Sequence, residues 1–353
     1  MGRDKNDILR QVASGLGYAD SANLLEILDI LLSEEEAHWI TALPATPRQL
    51  AERIGGDEDD IIAGLRDLFM RGLVFITEHT DQGPLYVADQ SATHFMDMIL
   101  YDPRYKRLGT HFVDLWRDFY NNELVHAPRS PEKMHFRILP VGEEIEDDRC
   151  ILPYERISEI VRQARRIAVQ PCPCRVRERA CDTPLETCIS LDGAADYFIS
   201  RRIGREIDSE QALAILRQAE ELGLVHETEN TDHPTVICNC CPCCCVFLRA
   251  ITRYQKQHVI ARSRYSAVID GEKCTLCETC LGRCHFDAIR HEENGLAVDR
   301  ESCFGCGLCV TTCPSEAITM LEVRKPEHIP SGGYTFMAGK DRVPRVERET
   351  DRL

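Results

Sequence analysis

The chain has 353 residues, of which 43% are hydrophobic, and its formal net charge is -16. This length is enough for two or three domains, and the hydrophobic content supports folded cores rather than disorder. The acidic balance argues against nucleic acid or an anionic membrane surface as the main partner, because both select for basic patches. No apolar run approaches the ~20 residues of a membrane span, and the N-terminus MGRDKNDILRQ lacks the apolar core of a signal peptide. The sequence therefore predicts a cytoplasmic protein with no membrane span.

Nineteen cysteines are the outstanding feature of the composition. They fall into one isolated residue, Cys150, a group of four in 172–188, a group of six in 238–245, and a group of eight in 274–313. In a reducing compartment, such close spacings indicate metal or redox sites rather than disulfides.

The N-terminal third is predicted to contain three helices followed by two strands. Ser33 and Glu36 form a capping box before EEAHWITAL, and TPRQLAERIGG forms a second short helix. The third helix, within DEDDIIAGLRDLFMRGL, is expected to bury Ile61, Ile62, Leu65, Leu68 and Phe69. VFIT and PLYVA then read as two strands.

This order of elements resembles a winged-helix domain over residues 30–90, and we assign residues 1–92 to a winged-helix-like interaction module. Winged helices often bind DNA, which raises the hypothesis of a redox-sensing transcription regulator. The third helix, however, starts with four acidic residues, 57–60, which suit the helix dipole but repel phosphate. An interaction or structural role is favoured, and no nucleic acid partner is expected.

Residues 93–150 are predicted to form a helical connector. Aromatic and charged positions alternate in 94–125, and Trp116 and Phe119 are expected to be core residues. Cys150 stands alone and is expected to pack in the interior rather than bind metal.

Residues 151–262 are predicted to form an α+β cysteine-rich module. A helix with Ile157, Ile160 and Val161 on one face precedes the strand IAVQ, which ends at the first cysteine group. Asp208 and Gln211 resemble a capping box for a helix that buries Ala212, Leu213, Leu216 and Ala219 and ends near Gly223. LVHETEN and TVICN are then expected to pair, which places the six-cysteine stretch at a strand exit.

The central cysteines indicate one or two iron–sulfur clusters, beyond any that the eight C-terminal cysteines bind. Cys238, Cys241 and Cys244 form a C-x2-C-x2-C triplet, and Cys240 and Cys243 form a second C-x2-C pair. The ligand set expected for the extra site is Cys172, Cys174, Cys181, Cys188, Cys238, Cys241 and Cys244. A non-cubane cluster bridged by adjacent cysteines, zinc, a redox-active dithiol and simple packing remain open for these thiols.

Arg175, Arg177 and Arg179 alternate beside the first cysteine group. Cationic side chains there would favour thiolates and stabilise a reduced, more negative cluster. The same residues could bind an anionic substrate or form a solvated charged loop.

The C-terminal cysteines occur in two copies of one pattern. CTLCETCLGRC at 274–284 and CFGCGLCVTTC at 303–313 both have the form C-x2-C-x2-C-x3-C, and their flanks repeat at an offset of 29 residues. Three thiolates at two-residue gaps can wrap one face of an iron–sulfur cube, while the fourth points to the other cube. Asn294-Gly295 between the copies predicts a hairpin.

This duplication resembles the two-cluster bacterial ferredoxins over roughly residues 266–322, and residues 263–325 are assigned to such a domain, with 326–353 as a tail. The resemblance implies that Cys274, Cys277, Cys280 and Cys313 bind one [4Fe–4S] cluster. It also implies that Cys303, Cys306, Cys309 and Cys284 bind the other. His285 stands where the family usually has proline, which could change the polarity near the second cluster.

The sequence therefore predicts a multidomain α+β protein with a winged-helix-like, a cysteine-rich and a ferredoxin-like part. The first functional hypothesis is an iron–sulfur electron-transfer protein that serves a redox protein or enzyme subunit as its partner. The second is a reductase whose central cluster contacts substrate, and the third is the redox-sensing regulator. The catalytic residues, the redox partner and the oligomeric state are not determined by the sequence.

Overall fold

A computed structural model describes residues 5–129, 134–141, 155–256, 258–293 and 295–332. Cys150, most of the C-terminal tail and Asn294 lie outside these residues. None of the helices within the described ranges is long and apolar enough to cross a membrane.

The first part of the chain is mainly helical, with one hairpin. Its elements are α1 (Lys5–Gly15), α2 (Ala22–Leu31), α3 (Glu34–Thr41), α4 (Pro47–Ile54), α5 (Glu58–Arg71), β1 (Val74–Thr80), β2 (Gly83–Ala88), α6 (Ala92–Leu100) and α7 (Gly109–Asn122). The predicted capping box of α3 is confirmed, because the Glu36 amide donates to Ser33 Oγ at 3.1 Å and the Ser33 amide donates to Glu36 Oε2 at 2.8 Å. The order of three helices followed by an antiparallel hairpin is also observed, while the winged-helix resemblance itself stays a prediction.

The packing of α5 corrects one expectation. Ile61, Leu65, Leu68 and Phe69 are buried as predicted, but Ile62 is 42% exposed. The side chain of Ile62 follows Ile61 by one residue, about 100° further around the helix, and so leaves the buried face. The acidic first turn of α5 is exposed, so the surface that a DNA-binding helix would use carries negative charge.

Parts of the predicted helical connector pack against the central module. Trp116 and Phe119 on α7 are fully buried, as expected. Tyr120 on the same helix donates its hydroxyl proton to the carbonyl of Val246 at 2.7 Å. Residues Phe136–Ile138, which lie within the same range, form a strand that pairs with Glu227–Glu229 in the central sheet. This range therefore supplies a packed helix, α7, and an edge strand of the sheet to the cysteine-rich module.

The central module is built on a six-stranded antiparallel sheet with the order β3-β7-β8-β5-β4-β6. The strands are β3 (Phe136–Ile138), β4 (Ile167–Pro171), β5 (Glu186–Leu191), β6 (Arg205–Ile207), β7 (Val225–Glu229) and β8 (Val236–Cys240). The helices are α8 (Ile157–Gln163), α9 (Pro173–Glu178), α10 (Asp192–Ser200), α11 (Ser209–Glu221) and α12 (Val246–Thr252). The predicted pairing of LVHETEN with TVICN is thus observed as β7 with β8.

The two faces of this sheet differ in what they bury. One face packs an aliphatic cluster in which α8 and α11 contribute the residues expected from their periodicity, including Ile160 and Leu216. The Asp208–Gln211 capping box of α11 is confirmed. The other face carries cysteines and packs against α6, α7, α9 and α10 in a core that continues into the N-terminal helices. The thiols are therefore enclosed between the sheet and the first third of the chain.

The C-terminal part contains two short antiparallel pairs. Its elements are β9 (Tyr265–Ile269), α13 (Thr279–Arg283), β10 (Ile289–Glu292), β11 (Gly295–Val298) and β12 (Ile318–Glu322), with β9 paired to β12 and β10 to β11. Its second cysteine loop lies against the central module, where the Val141 amide donates to the Cys306 carbonyl at 3.0 Å. Gly307, at φ +78°, allows this approach, because a Cβ there would lie 2.4 Å from Val141 Cγ2.

Candidate metal centres

The first C-terminal thiol group is formed by both halves of the duplication. Cys274, Cys277, Cys280 and Cys313 line one small cavity together with Pro314 and Ile318. Cys277 is exposed and its neighbour Leu276 is 55% exposed. The structure thus brings together the four cysteines that the resemblance assigns to one cluster, at the surface of the molecule.

The second C-terminal group consists of Cys284, Cys303, Cys306 and Cys309. Burial, followed by the thiolates of Cys284 and Cys303, raises the pKa of Cys306 to about 12. Crowded, buried thiols resist ionisation unless a cation is present, and metal binding is what releases their protons. This group therefore has the donor set and the burial that a cluster requires.

The duplication extends to hydrogen bonds at sulfur. The Ala288 amide donates to Cys284 Sγ at 3.4 Å, and the Ala317 amide donates to Cys313 Sγ at 3.3 Å. Each donor lies four residues after the last cysteine of its motif. Hydrogen bonds to cluster sulfurs are one of the factors that set the reduction potential, and the two halves share this one.

His285, the departure from the ferredoxin pattern, binds the central module. Its Nε2 lies 2.7 Å from the carbonyl oxygen of Gly223, so the ring donates its proton to that oxygen. In the other half of the duplication, Pro314 occupies the equivalent position and lines the first thiol group instead. The exchange of proline for histidine thus supplies a contact between two parts of the chain.

The ten central cysteines separate into two groups that the sequence did not distinguish. Cys181, Cys241, Cys243 and Cys244 have sulfur atoms that all lie within 4.8 Å of one another. Three of them come from the turn after β8, where the Cys244 and Cys245 amides both donate to the Cys241 carbonyl. Contact with Cys244 lowers the pKa of Cys241 to about 4.

The other six central thiols form a closed ring. All six line one cavity, and each lies close enough to the next to affect its pKa, in the order Cys172, Cys174, Cys245, Cys240, Cys238, Cys188 and back to Cys172.

The register of the sheet produces half of this ring. Ile189 on β5 pairs with Ile237 on β8 in antiparallel register. Cys188 precedes Ile189 and Cys238 follows Ile237, so these two cysteines lie side by side on the opposite face of the sheet. Cys240 follows Cys238 by two residues and shares that face. Cys172 is the N-cap residue of α9, and the Cys245 sulfur accepts from the Phe247 amide at 3.3 Å at the start of α12.

The ring borders a cavity of about 110 Å³. One water molecule needs only ~10–15 Å³ on this measure, so the cavity has room for a polynuclear group. The remaining walls include Glu227 from β7 and Asp97 from α6. Burial raises the pKa of Asp97 to about 7, and its Oδ1 has no hydrogen-bond partner among the described residues.

Two of the three alternating arginines are buried, which rules out a solvated loop for them. Arg175 is 3% exposed and donates to the Asn239 carbonyl at 2.7 Å. Burial lowers its pKa, but the thiolates around it, led by Cys172 and Cys241, raise the pKa above its ordinary value overall. The Arg175 guanidinium is therefore close to both central thiol groups.

Arg177 is fully buried and lies 3.9 Å from the Tyr120 ring centroid. Its Nε donates to Glu178 Oε1 at 2.8 Å and its Nη2 to the Cys244 carbonyl at 3.0 Å. Arg179 behaves as a surface residue, because its side chain is 39% exposed and pairs with Asp114.

The ligand set expected from the sequence therefore spans two sites. Cys172, Cys174, Cys188 and Cys238 belong to the ring, whereas Cys181, Cys241 and Cys244 belong to the four-thiol group. Sequence reasoning did not include Cys245, Glu227 or Asp97. The alternation of Cys238 and Cys240 along a predicted strand was the one available signal that these two thiols share a face.

Comparison with known proteins identifies one part of the chain. The family model described as a 4Fe-4S dicluster domain matches residues 267–320, within the range of the ferredoxin resemblance. No significant match is found among curated proteins or among solved structures.

The C-terminal part is thus a ferredoxin-type domain, and its two groups of four thiols have the donor chemistry of iron–sulfur clusters. The matched segment covers well under half of the chain. It therefore classifies this domain and assigns no family to the rest of the chain.

Proposed function

We propose that the protein relays single electrons through two [4Fe–4S] clusters in its C-terminal domain and one further iron–sulfur cluster in the central module, to or from a partner redox enzyme. Cys274, Cys277, Cys280 and Cys313 hold the outer cluster. Cys284, Cys303, Cys306 and Cys309 hold the inner one. The six-thiol ring holds the central cluster.

The observation that carries this proposal is the change in exposure from one thiol group to the next. The outer group includes the exposed Cys277, where a partner can approach. The inner group contacts the central module through Cys306, while Phe286 and Phe304 stack at 4.5 Å between their ring centroids. Both rings pack against the same hydrophobic cluster that contains the ring thiols Cys172, Cys188, Cys240 and Cys245. Continuous packing from surface to interior supports a path for electrons.

The size of the central cavity supports a cluster rather than a single ion at the ring. A lone ion bound to four of the six thiols would leave two thiols without a metal and most of the cavity unfilled. Several irons with bridging sulfide would use more of the thiols and fill the space. The positive charge of Arg175 would favour the thiolate ligands.

The test is iron and acid-labile sulfide analysis with EPR spectroscopy on protein purified without oxygen. Two [4Fe–4S] clusters account for about eight irons, so iron above that number measures the central cluster. Cys188→Ser is expected to lose this excess iron and keep the two ferredoxin signals. Cys280→Ser, a buried cysteine in the outer group, is expected to lose a ferredoxin signal and keep the excess. Wild-type protein with about eight irons, unchanged in Cys188→Ser, would refute a cluster at the ring.

A second candidate function is a reductase in which the central cluster contacts substrate. The buried carboxyl of Asp97 favours it, because a group with a pKa of about 7 can hold or release a proton near neutral pH. For a reductase, we expect small-molecule electron acceptors to perturb the EPR signal of the central cluster and not the ferredoxin signals. A relay is expected to show no such effect.

A further inference from the structure

We propose that the second central group, Cys181, Cys241, Cys243 and Cys244, holds a single Zn²⁺ ion and takes no part in an iron–sulfur cluster. This site is separate from the ring and from the ferredoxin clusters. It assigns three thiols of the ligand set expected for an extra cluster, and Cys243 in addition, to a different kind of metal.

The sulfur–sulfur distances are those of a mononuclear tetrahedral site. Cys181 Sγ lies 3.8 Å from Cys241 Sγ and 3.7 Å from Cys244 Sγ, and Cys244 Sγ lies 3.8 Å from Cys243 Sγ. Zinc–sulfur bonds of ~2.3 Å at the tetrahedral angle place sulfur atoms ~3.8 Å apart. In a cubane each thiolate binds a different iron, so the ligand sulfurs lie farther apart than this. A disulfide is also excluded, because its sulfurs would be ~2.05 Å apart.

The surroundings suit a structural ion with no open position. Four thiolates complete the tetrahedral coordination of zinc, which is typical of structural sites. The net negative charge of such a site is offset by Arg175, whose guanidinium is stabilised by Cys241. Arg177 donates to the Cys244 carbonyl at 3.0 Å. This hydrogen bond holds the backbone that carries one of the ligands.

The ion would join two segments that are distant in sequence. Cys181 lies in the loop between α9 and β5, and the other three ligands lie in the turn after β8. Both segments also adjoin thiols of the ring. The turn ends at Cys245, and the loop follows α9, which carries Cys174. A zinc ion here would therefore fix the backbone on which part of the ring is built.

The experiment measures zinc and iron separately in the full-length protein, before and after reconstitution with ferrous iron and sulfide without oxygen. We expect about one zinc per chain in both states, since iron–sulfide reconstitution fills the ring and the ferredoxin groups only. X-ray absorption at the zinc edge should give four sulfur neighbours at about 2.3 Å and no metal neighbour. This measurement needs no variant and is unaffected by variants that fail to fold.

Two serine variants separate this inference from the proposed function. Cys243→Ser, at a partly exposed position of the turn, should lower the bound zinc per chain at least tenfold and leave the iron and sulfide contents unchanged. Cys188→Ser should lower iron and leave zinc unchanged. Zinc that disappears as iron rises during reconstitution, or iron lost from Cys243→Ser in place of zinc, would overturn the zinc site. If Cys188→Ser keeps all of its iron while Cys243→Ser loses zinc, the ring cluster is overturned and the zinc site is not.

Discussion

The C-terminal domain and the central module both gather thiols, but they do so by different means. In the C-terminal domain each group takes three thiols from one short loop and the fourth from the other copy of the motif. In the central module the six-thiol ring draws on residues 172–245, through two strands and two helix starts. Local spacing therefore decides the first arrangement, whereas sheet register and loop packing decide the second. We expect substitutions to act locally in the first region and through burial and charge in the second.

The largest effect is expected from Gly305→Ala in the C-terminal domain. Gly305 has φ +70°, and a Cβ there would lie 2.1 Å from the Tyr265 carbonyl oxygen. Strain and overpacking together should cost about 3–5 kcal/mol of unfolding free energy and release the inner cluster. Denaturation monitored by circular dichroism and iron analysis would measure both effects.

Gly282→Ala is the matched control in the same domain, because a Cβ at Gly282 meets nothing within 4 Å. Its position within α13 predicts no loss of stability, and a gain of up to about 1 kcal/mol. If both variants behave alike, the loop around Gly305 is not as closely packed as the structure indicates.

The next effect concerns the pH dependence caused by Asp97 in the central cavity. Burial raises its pKa in the folded protein to about 7 from the ordinary 3.8. A raised carboxyl pKa means that the folded state holds its proton more tightly, so the contribution of Asp97 to stability is greatest at low pH and is lost as the pH rises through 7. Between pH 5 and pH 8 the loss should be about 2–3 kcal/mol. Urea denaturation at both pH values would measure it.

Asp97→Asn should remove this part of the pH dependence, because the amide is neutral throughout. Asp118→Asn, on the exposed side of α7, should leave the pH dependence of the wild-type protein intact. Equal pH profiles for wild type and Asp97→Asn would contradict burial of an ionisable carboxyl in this cavity.

A smaller effect is expected from Arg175→Gln on the potential of the central cluster. Loss of a buried positive charge disfavours the reduced, more negative state, so the potential should fall. At an effective dielectric constant near 20, an interaction of ~2 kcal/mol corresponds to a shift on the order of 100 mV. EPR-monitored redox titration would show the shift, with the ferredoxin potentials unchanged.

Arg179→Gln provides the comparison for this prediction. The Arg179 side chain is 39% exposed and pairs with Asp114 at the surface, where solvent screens its charge. The Arg179→Gln variant should therefore have the same cluster potentials as the wild-type protein, within experimental error. A similar shift in both variants would mean that Arg175 has no special relation to the thiols.

The smallest effect is expected at the boundary between the two regions, from His285→Ala. The variant loses the hydrogen bond to the Gly223 carbonyl, which should cost about 0.5–1.5 kcal/mol. Faster limited proteolysis between the two regions would report the loss. His291→Ala is the control, because His291 is an exposed histidine of the same domain with a surface ion pair. Identical proteolysis of the two variants would argue against a docking role for His285.

Much of the local structure followed from the sequence. The capping boxes at Ser33 and Asp208 place helix starts correctly, because a cap and its partner are three residues apart and need no tertiary contact. The C-x2-C-x2-C-x3-C repeat likewise identified the domain that the comparison matched. The exposed Ile62 on α5 shows the limit of such reasoning. Periodicity identifies which face of a helix is apolar, whereas the number of residues buried on that face depends on the elements that pack against it.

By itself, then, the sequence determined the ferredoxin-type domain, the capped helices and the β7–β8 pairing, and the presence of further grouped cysteines. Only the tertiary structure decided that ten central cysteines form a ring of six and a group of four. It also decided that Arg175 and Arg177 are buried, and that α6 supplies a carboxyl to the cavity. The reason is physical: ligands within one loop are held by a few backbone torsions that local residues set. Ligands on different strands meet only through the pairing register and the packing of the whole module.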